Sequence, residues 1–198
     1  MTNATEGPAF RYTPGLANEI EQKWQRYWRD NGTFNAPNPV GDLATGEQLP
    51  ADKLNVQDMF PYPSGAGLHV GHPLGYIATD VVARYHRMLG KNVLHCLGYD
   101  AFGLPAENAA IKNNIDPAIW TYKSIEYMTG QFRRMGTMID WSRQFATSDP
   151  EYYRWNQWFF AEFFRRVDAS GYRGWVGAEY MPATTTEAWL RWLREGGA

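Results

Sequence analysis

The sequence predicts an α/β fold built on a parallel sheet, and three observations carry that reading. Short apolar runs at residues 54–60 and 92–97 have the length of strands. A glycine-containing loop follows each of them, and a helical pattern over residues 71–89 lies between. Strand, loop, helix and strand in that order give a right-handed βαβ unit with parallel strands. Such a unit is too small to cover both faces of a sheet, so it is expected to belong to a larger doubly wound sheet. The 198 residues suffice for one domain, or one domain with an appendage.

Taken in order, residues 1–13 are small and polar and are expected to lack fixed structure. Pro14 opens a helix in which Leu16, Ile20, Trp24, Tyr27 and Trp28 recur at three- and four-residue spacing, and Asn31-Gly32 ends it. Residues 35–50 are rich in Pro, Gly and Asn and read as an exposed connection. The first strand, 54–60, is weakened by Gln57 and Asp58. Two prolines and two glycines then force a loop through residues 61–67. The helix that follows has Ile77, Val81, Val82, Tyr85, Met88 and Leu89 as its expected buried face, and Gly90 closes it. After the second strand a loop covers 98–104, and helical patterns occupy 105–112, 117–135 and 150–167. Four segments result: 1–13, 14–50, 51–164 and a tail, 165–198, in which 187–194 has the length of a short helix.

A net charge of −2 gives no bulk electrostatic case for gripping nucleic acid. The single cysteine, Cys96, excludes an internal disulfide and an all-cysteine zinc site. Residues 1–11 hold neither a signal-peptide pattern nor a membrane-spanning run, so a cytoplasmic protein without membrane attachment is expected. The late aromatic cluster, from Tyr152 to Phe164, reads as a helix packing on another surface rather than a base-stacking platform.

The most informative stretch is Phe60-Pro61-Tyr62-Pro63-Ser64-Gly65-Ala66-Gly67-Leu68-His69-Val70-Gly71-His72. It sets two imidazoles three residues apart where a loop enters a helix. Unpaired amides and the positive end of the helix dipole make that spot an anion site. Glycine at position 71 keeps the backbone open to a nucleotide base or ribose. The stretch fits neither a Gly-x-x-x-x-Gly-Lys-Ser/Thr loop nor a Gly-x-Gly-x-x-Gly turn with its distant acidic residue. Zinc on His69 and His72 would need His95 and Cys96 from the next strand, and no metal site is expected. His86 is assigned to the helix surface, and His95 to a strand position with its hydrogen bonds satisfied. Asp100 follows the second strand, at the carboxyl edge of the sheet where ligands of such folds bind. Read from its residue type alone it is also a helix cap or a loop acceptor. Phe60 and Tyr62 have core packing as their alternative.

His69-Val70-Gly71-His72 resembles the HIGH motif of class I aminoacyl-tRNA synthetases, and the preceding Phe-Pro-Tyr-Pro-Ser-Gly is similar to the leucine-specific branch. The resemblance continues through Gly98-Tyr99-Asp100-Ala101-Phe102-Gly103-Leu104-Pro105-Ala106-Glu107-Asn108, Trp120-Thr121-Tyr122, Asp140-Trp141 and Asp149-Pro150-Glu151-Tyr152-Tyr153-Arg154-Trp155. It covers about residues 14–164. The resemblance implies the amino-terminal half of a Rossmann-like catalytic domain, whose parallel sheet is incomplete, and the activity of a leucine–tRNA ligase. It implies that His69 and His72 act on the ATP phosphates with Gly67 and Gly71 against the nucleotide. It also implies that Asp100 pairs with the leucine ammonium, that Phe60 and Tyr62 line the leucine site, and that Mg²⁺ arrives with ATP. Leucine, ATP and tRNA(Leu) are the implied partners. The family's second ATP motif, Lys-Met-Ser-Lys-Ser, comes far downstream, whereas the last lysine here is Lys123. A complementing chain, a non-catalytic ATP- or leucine-binding paralogue and a truncated gene product are therefore also expected readings. After Phe164 no further match to the family pattern is recognised.

Overall fold

The computed structural model describes residues 12–177, apart from 39, 43, 45, 47, 64 and 66. Residues 1–11 and the short helix expected at 187–194 lie outside the described residues. The chain divides into two units, Met1–Asn156 and Gln157–Ala198.

In the first unit, α1 (Pro14–Asp30) begins where the Thr13 hydroxyl accepts a hydrogen bond from Leu16 N and Pro14 supplies a helical φ without losing a donor. β1 (Lys53–Val56) and β2 (Asn92–His95) pair in parallel, with Lys53 opposite Asn92 and Val56 opposite His95. α2 (Gly71–Met88) connects them. The expected βαβ unit is therefore present, but its first strand is shorter than the sequence suggested. It stops at Val56 because Asp58 turns to other work: its carboxylate accepts from Met59 N and from the Thr79 hydroxyl of α2.

A second pair of strands is absent from the sequence reading. β3 (Gly98–Tyr99) and β4 (Phe145–Ala146) run parallel, with Gly98 opposite Phe145 and Tyr99 opposite Ala146. Each has two residues, too few for any alternation to show. Gly98 is required there, because a Cβ would run into the Phe145 ring. Between them lie α3 (Leu104–Lys112), α4 (Pro117–Met135) and a turn of 3₁₀ helix at Trp141–Arg143. α4 is capped at both ends: the Asp116 carboxylate accepts from Ala118 N and Ile119 N, and Gly136 takes the left-handed conformation at φ 75°.

The main core gathers Tyr76, Leu97, Tyr99, Ile125, Met128, Phe132, Ile139 and Ala146 from α2, α4, the short strands and the segments beside them. A smaller one joins Val56, Ala83, Val93 and Met138. Here the expected face of α2 is corrected. Ile77, Val81, Val82, Tyr85, Met88 and Leu89 are all exposed, and the helix buries Tyr76 and Ala83 instead. The buried side is the one with polar anchors. Asp80 accepts from Met138 N and pairs with Arg84, which donates to the Gly136 carbonyl at 2.6 Å. Asp140, wholly buried, accepts from Ala36 N, Ser142 N and the Ser142 hydroxyl, and lies 3.1 Å from Arg143 Nε as a charge pair.

α5 (Pro150–Ala169) starts in the first unit and ends in the second. Within the second unit, Glu162 pairs with both Arg165 and Arg166, and the Phe164 ring contacts those of Phe160 and Phe163. No helix among the described residues is long and apolar enough to cross a membrane.

Candidate active site at the amino terminus of α2

The N-cap residue of α2, Val70, makes no side-chain capping bond. The two histidines do that work on each other's turn. His69 Nδ1 accepts from Gly71 N at 3.0 Å, and His72 Nδ1 accepts from His69 N at 3.0 Å. An accepting Nδ1 fixes the tautomer: each neutral ring carries its proton on Nε2. Among the described residues neither Nε2 has a hydrogen-bond partner, so the turn presents two imidazole N–H donors. The rings lie 4.0 Å apart, with His69 exposed and His72 half-buried over the Tyr76 ring. The His72 pKa is lowered, first by burial and then by the neighbouring His69, which keeps the accepting Nδ1 free of a proton.

Both glycines of this turn have structural reasons to be glycine. Gly67 has φ 108°, and a Cβ would stand 2.5 Å from Gln131 Oε1 and 2.6 Å from Tyr127 Cε1. At Gly71 the obstacle would be the His69 ring, 2.8 Å away at Cε1. Gln131, on α4, also accepts from Leu68 N at 2.7 Å, so α4 clamps the loop immediately before His69.

The structure joins Phe60, Tyr62 and Asp100 into one neighbourhood. Asp100 N donates to the Pro61 carbonyl at 3.0 Å, tying the loop after β1 to the end of β3. The half-buried Asp100 carboxylate accepts a long bond, 3.4 Å, from the Thr147 hydroxyl, which itself accepts from Ala101 N. Phe60 is half-buried with its ring edge-on to Phe145 at 5.0 Å, whereas Tyr62 is exposed. Tyr76 links this neighbourhood to the histidines: His72 stacks over it, and its hydroxyl donates to the Met59 carbonyl at 2.5 Å. Burial raises the Tyr76 pKa strongly, with the Asp58 charge adding to it, so the hydroxyl stays a donor.

Sequence reasoning missed Tyr76, Gln131 and Thr147. Gln131 and Thr147 lie 63 and 47 residues from the atoms they position, and no local pattern reports such contacts. The other two histidines are corrected in part. His95 is buried and touches the Met138 backbone, but its Nδ1 has no partner among the described residues. His86 is half-buried rather than on the surface, its Nδ1 likewise unpaired among the described residues. No group of three or more His, Cys, Asp or Glu that could hold a metal ion occurs among the described residues.

Fold and site together define a parallel α/β protein with two histidine rings at the turn where the first strand hands over to its helix. The chain belongs to the class I tRNA synthetases: residues 55–181 match the family described as tRNA synthetases class I (M). It is 59% identical over 201 aligned residues, 99% of its length, to a leucine–tRNA ligase of Corynebacterium glutamicum. It is 65% identical over 82% of its length to that of Corynebacterium diphtheriae. These matches span about a fifth of the relatives' own length, 20% and 17%. Among solved structures it resembles a leucyl-tRNA synthetase of Agrobacterium radiobacter in a ternary complex with tRNA and LeuAMS. That match has a TM-score of 0.64 and 36% identity over 74% of this chain and 17% of that one. It also resembles the Mycobacterium tuberculosis methionyl-tRNA synthetase bound to methionyl-adenylate, at TM-score 0.53 and 28% identity over 61% of this chain and 22% of that one. The family match and the Corynebacterium glutamicum alignment both continue beyond residue 164, where the sequence reading recognised nothing further.

Proposed function

We propose that this chain carries the ATP- and leucine-binding part of a leucine–tRNA ligase, and that residues 51–164 form the amino-terminal half of its catalytic domain. The observation that carries the reading is the pair of histidine rings at a helix amino terminus, each with its Nδ1 held by a backbone amide of the turn, which leaves Nε2–H as the donor. The reaction class needs no protein nucleophile: the leucine carboxylate attacks the α-phosphate of ATP and pyrophosphate leaves. What the protein supplies is stabilisation of the charge that grows on phosphate oxygens. Preorganised donors do this at no reorganisation cost, and removing one typically slows a reaction by about 10²–10³. His69 and His72 are those donors in this reading, with Gly67 and Gly71 keeping side chains clear of the nucleotide. Mg²⁺ comes with ATP, as befits a hard cation bound mostly by phosphate oxygens and water.

Asp100 is the group for the leucine ammonium: among the described residues its carboxylate accepts one bond, a long one. Phe60 and Tyr62 flank it as the apolar wall. The complex of the Agrobacterium radiobacter enzyme with tRNA supports tRNA as the acceptor of the activated leucine. A cytoplasmic location follows from the same reading, since ATP, leucine and tRNA meet there.

The test is leucine-dependent ATP–pyrophosphate exchange on the purified chain, with equilibrium binding of ATP and of leucine measured in parallel. Exchange that requires leucine and falls at least 10²-fold in His72→Ala and in Asp100→Ala supports the assignment. Binding of both ligands without exchange reduces the chain to a binding module. Folded protein that binds neither ligand overturns the reading.

A further inference from the structure

A second site lies away from the histidine turn, between α1 and the carboxyl end of α4. A cavity of about 370 Å³ opens there, within the 300–1,000 Å³ range of small-molecule sites. Its lining includes four guanidinium groups, Arg26, Arg29, Arg133 and Arg134, together with the indoles of Trp28 and Trp141, and among the described residues no Asp or Glu. None of the residues of the α2 turn or of the Asp100 neighbourhood takes part.

The four arginines are not equally committed. Arg29 is paired with Asp30, and Arg134 with Glu21 and Asn18, all at exposed positions. Among the described residues, no carboxylate lies within ion-pair distance of Arg26 or Arg133. Arg133 instead lays its guanidinium over the Trp141 ring, 5.1 Å from the centroid. Among the described residues, that leaves two guanidinium groups without a carboxylate partner beside an aromatic wall. Guanidinium groups prefer phosphate because their forked donors match its oxygens, and a guanidinium–indole plane is also a surface on which a base stacks. A free phosphate would use the charge and ignore the indoles. A neutral aromatic would do the reverse.

We infer that the Arg26–Arg133–Trp141 cavity between α1 and α4 binds a nucleotide, its phosphate on the two unpaired guanidinium groups and its base against the indole wall. The ligand is a nucleoside phosphate, free or as one residue of an RNA strand. The α1 side of the cavity is held in place by Gln25, whose amide donates to the Arg134 carbonyl at 2.9 Å, so the site forms within the folded first unit.

The inference is tested by calorimetric titration of the intact chain with UMP, with inorganic phosphate and with a five-residue oligouridylate. UMP is chosen because it lacks the adenine of the proposed α2 substrate. UMP should bind one to one and at least tenfold more tightly than phosphate. Arg26→Glu, at an exposed position, and Arg133→Gln should each weaken it at least tenfold, while His72→Ala leaves it unchanged. Thermal melts establish that the variants are folded, and Arg26→Glu alone suffices should Arg133→Gln unfold. An oligouridylate that binds a hundredfold more tightly, with a steep salt dependence, assigns the site to an RNA strand; equal affinity assigns it to the free nucleotide. No UMP binding at millimolar concentration, binding unchanged in Arg26→Glu, or binding lost in His72→Ala overturns the inference.

Discussion

At the scale of single residues, burial decides more than residue type. Asp140 is wholly buried and holds the chain at Ala36, at Ser142 and beside Arg143. Removing one member of such a set strands its partners, so Asp140→Ala should cost about 3–5 kcal/mol, read by urea denaturation. Gly67→Ala forces a Cβ into the Gln131–Tyr127 clamp at a backbone conformation that L residues rarely adopt. A strain of about 1–3 kcal/mol is expected, with ATP binding weakened through displacement of His69. His95 gives a pH dependence. Burial holds its pKa below 6.5, against the pull of Asp80, the Met138 backbone and Asp58, with Arg84 adding to the lowering. The unfolded chain therefore takes up the proton first, and stability should be constant above pH 6.5 and fall as the pH drops through the folded-state value. Melting temperatures between pH 8 and pH 5 check this, and His95→Leu should flatten the acid limb that His95 contributes. The histidine pair was legible in the sequence because its spacing is local. The Nδ1 bonds to the backbone amides of the turn and the Gln131 clamp were not, since the former depend on ring orientation and the latter on a contact 63 residues away.

At the scale of elements, the helices were legible because their ends carry their own chemistry. Pro14 after Thr13, Pro117 after Asp116 and Gly136 after Met135 mark boundaries that the structure keeps. Asp116 accepts two orphan amides of α4, so Asp116→Ala should destabilise the protein by about 1 kcal/mol, while Asp116→Ser should retain most of the stability; chemical denaturation separates the two. The face of α2 was misread for a physical reason. Periodicity identifies an apolar stripe but not the side on which neighbours stand. Here the neighbours reward the stripe's other side, through the Tyr76 hydroxyl on Met59, the Asp80 carboxylate on Met138 and Ala83 against Val56 and Val93. β3 and β4 escaped because two residues make no pattern, and only the crowding of Gly98 by Phe145 betrays the pairing afterwards.

At the scale of the first unit, the proposed leucine and ATP neighbourhoods are drawn from three segments between residues 60 and 100. The loop after β1 supplies Phe60 and Tyr62, the start of α2 supplies His69 and His72, and the end of β3 supplies Asp100. Thr147 and Gln131 hold these pieces from the sequence beyond. An unfolded chain does not hold these groups together in one arrangement, so a ligand that needs them all binds the native state and not the unfolded one. Binding must then raise stability by mass action, by about 2.7 kcal/mol at a hundred times the dissociation constant. Leucine and Mg²⁺–ATP together should therefore raise the melting temperature more than either alone, because each pre-orders a segment tied to the other through Tyr76. Asp100→Ala should abolish the leucine increment and keep much of the ATP increment. His72→Ala should do the opposite. Equal loss of both increments in either variant would mean that the two neighbourhoods are one site, with no division of labour between the histidines and the carboxylate.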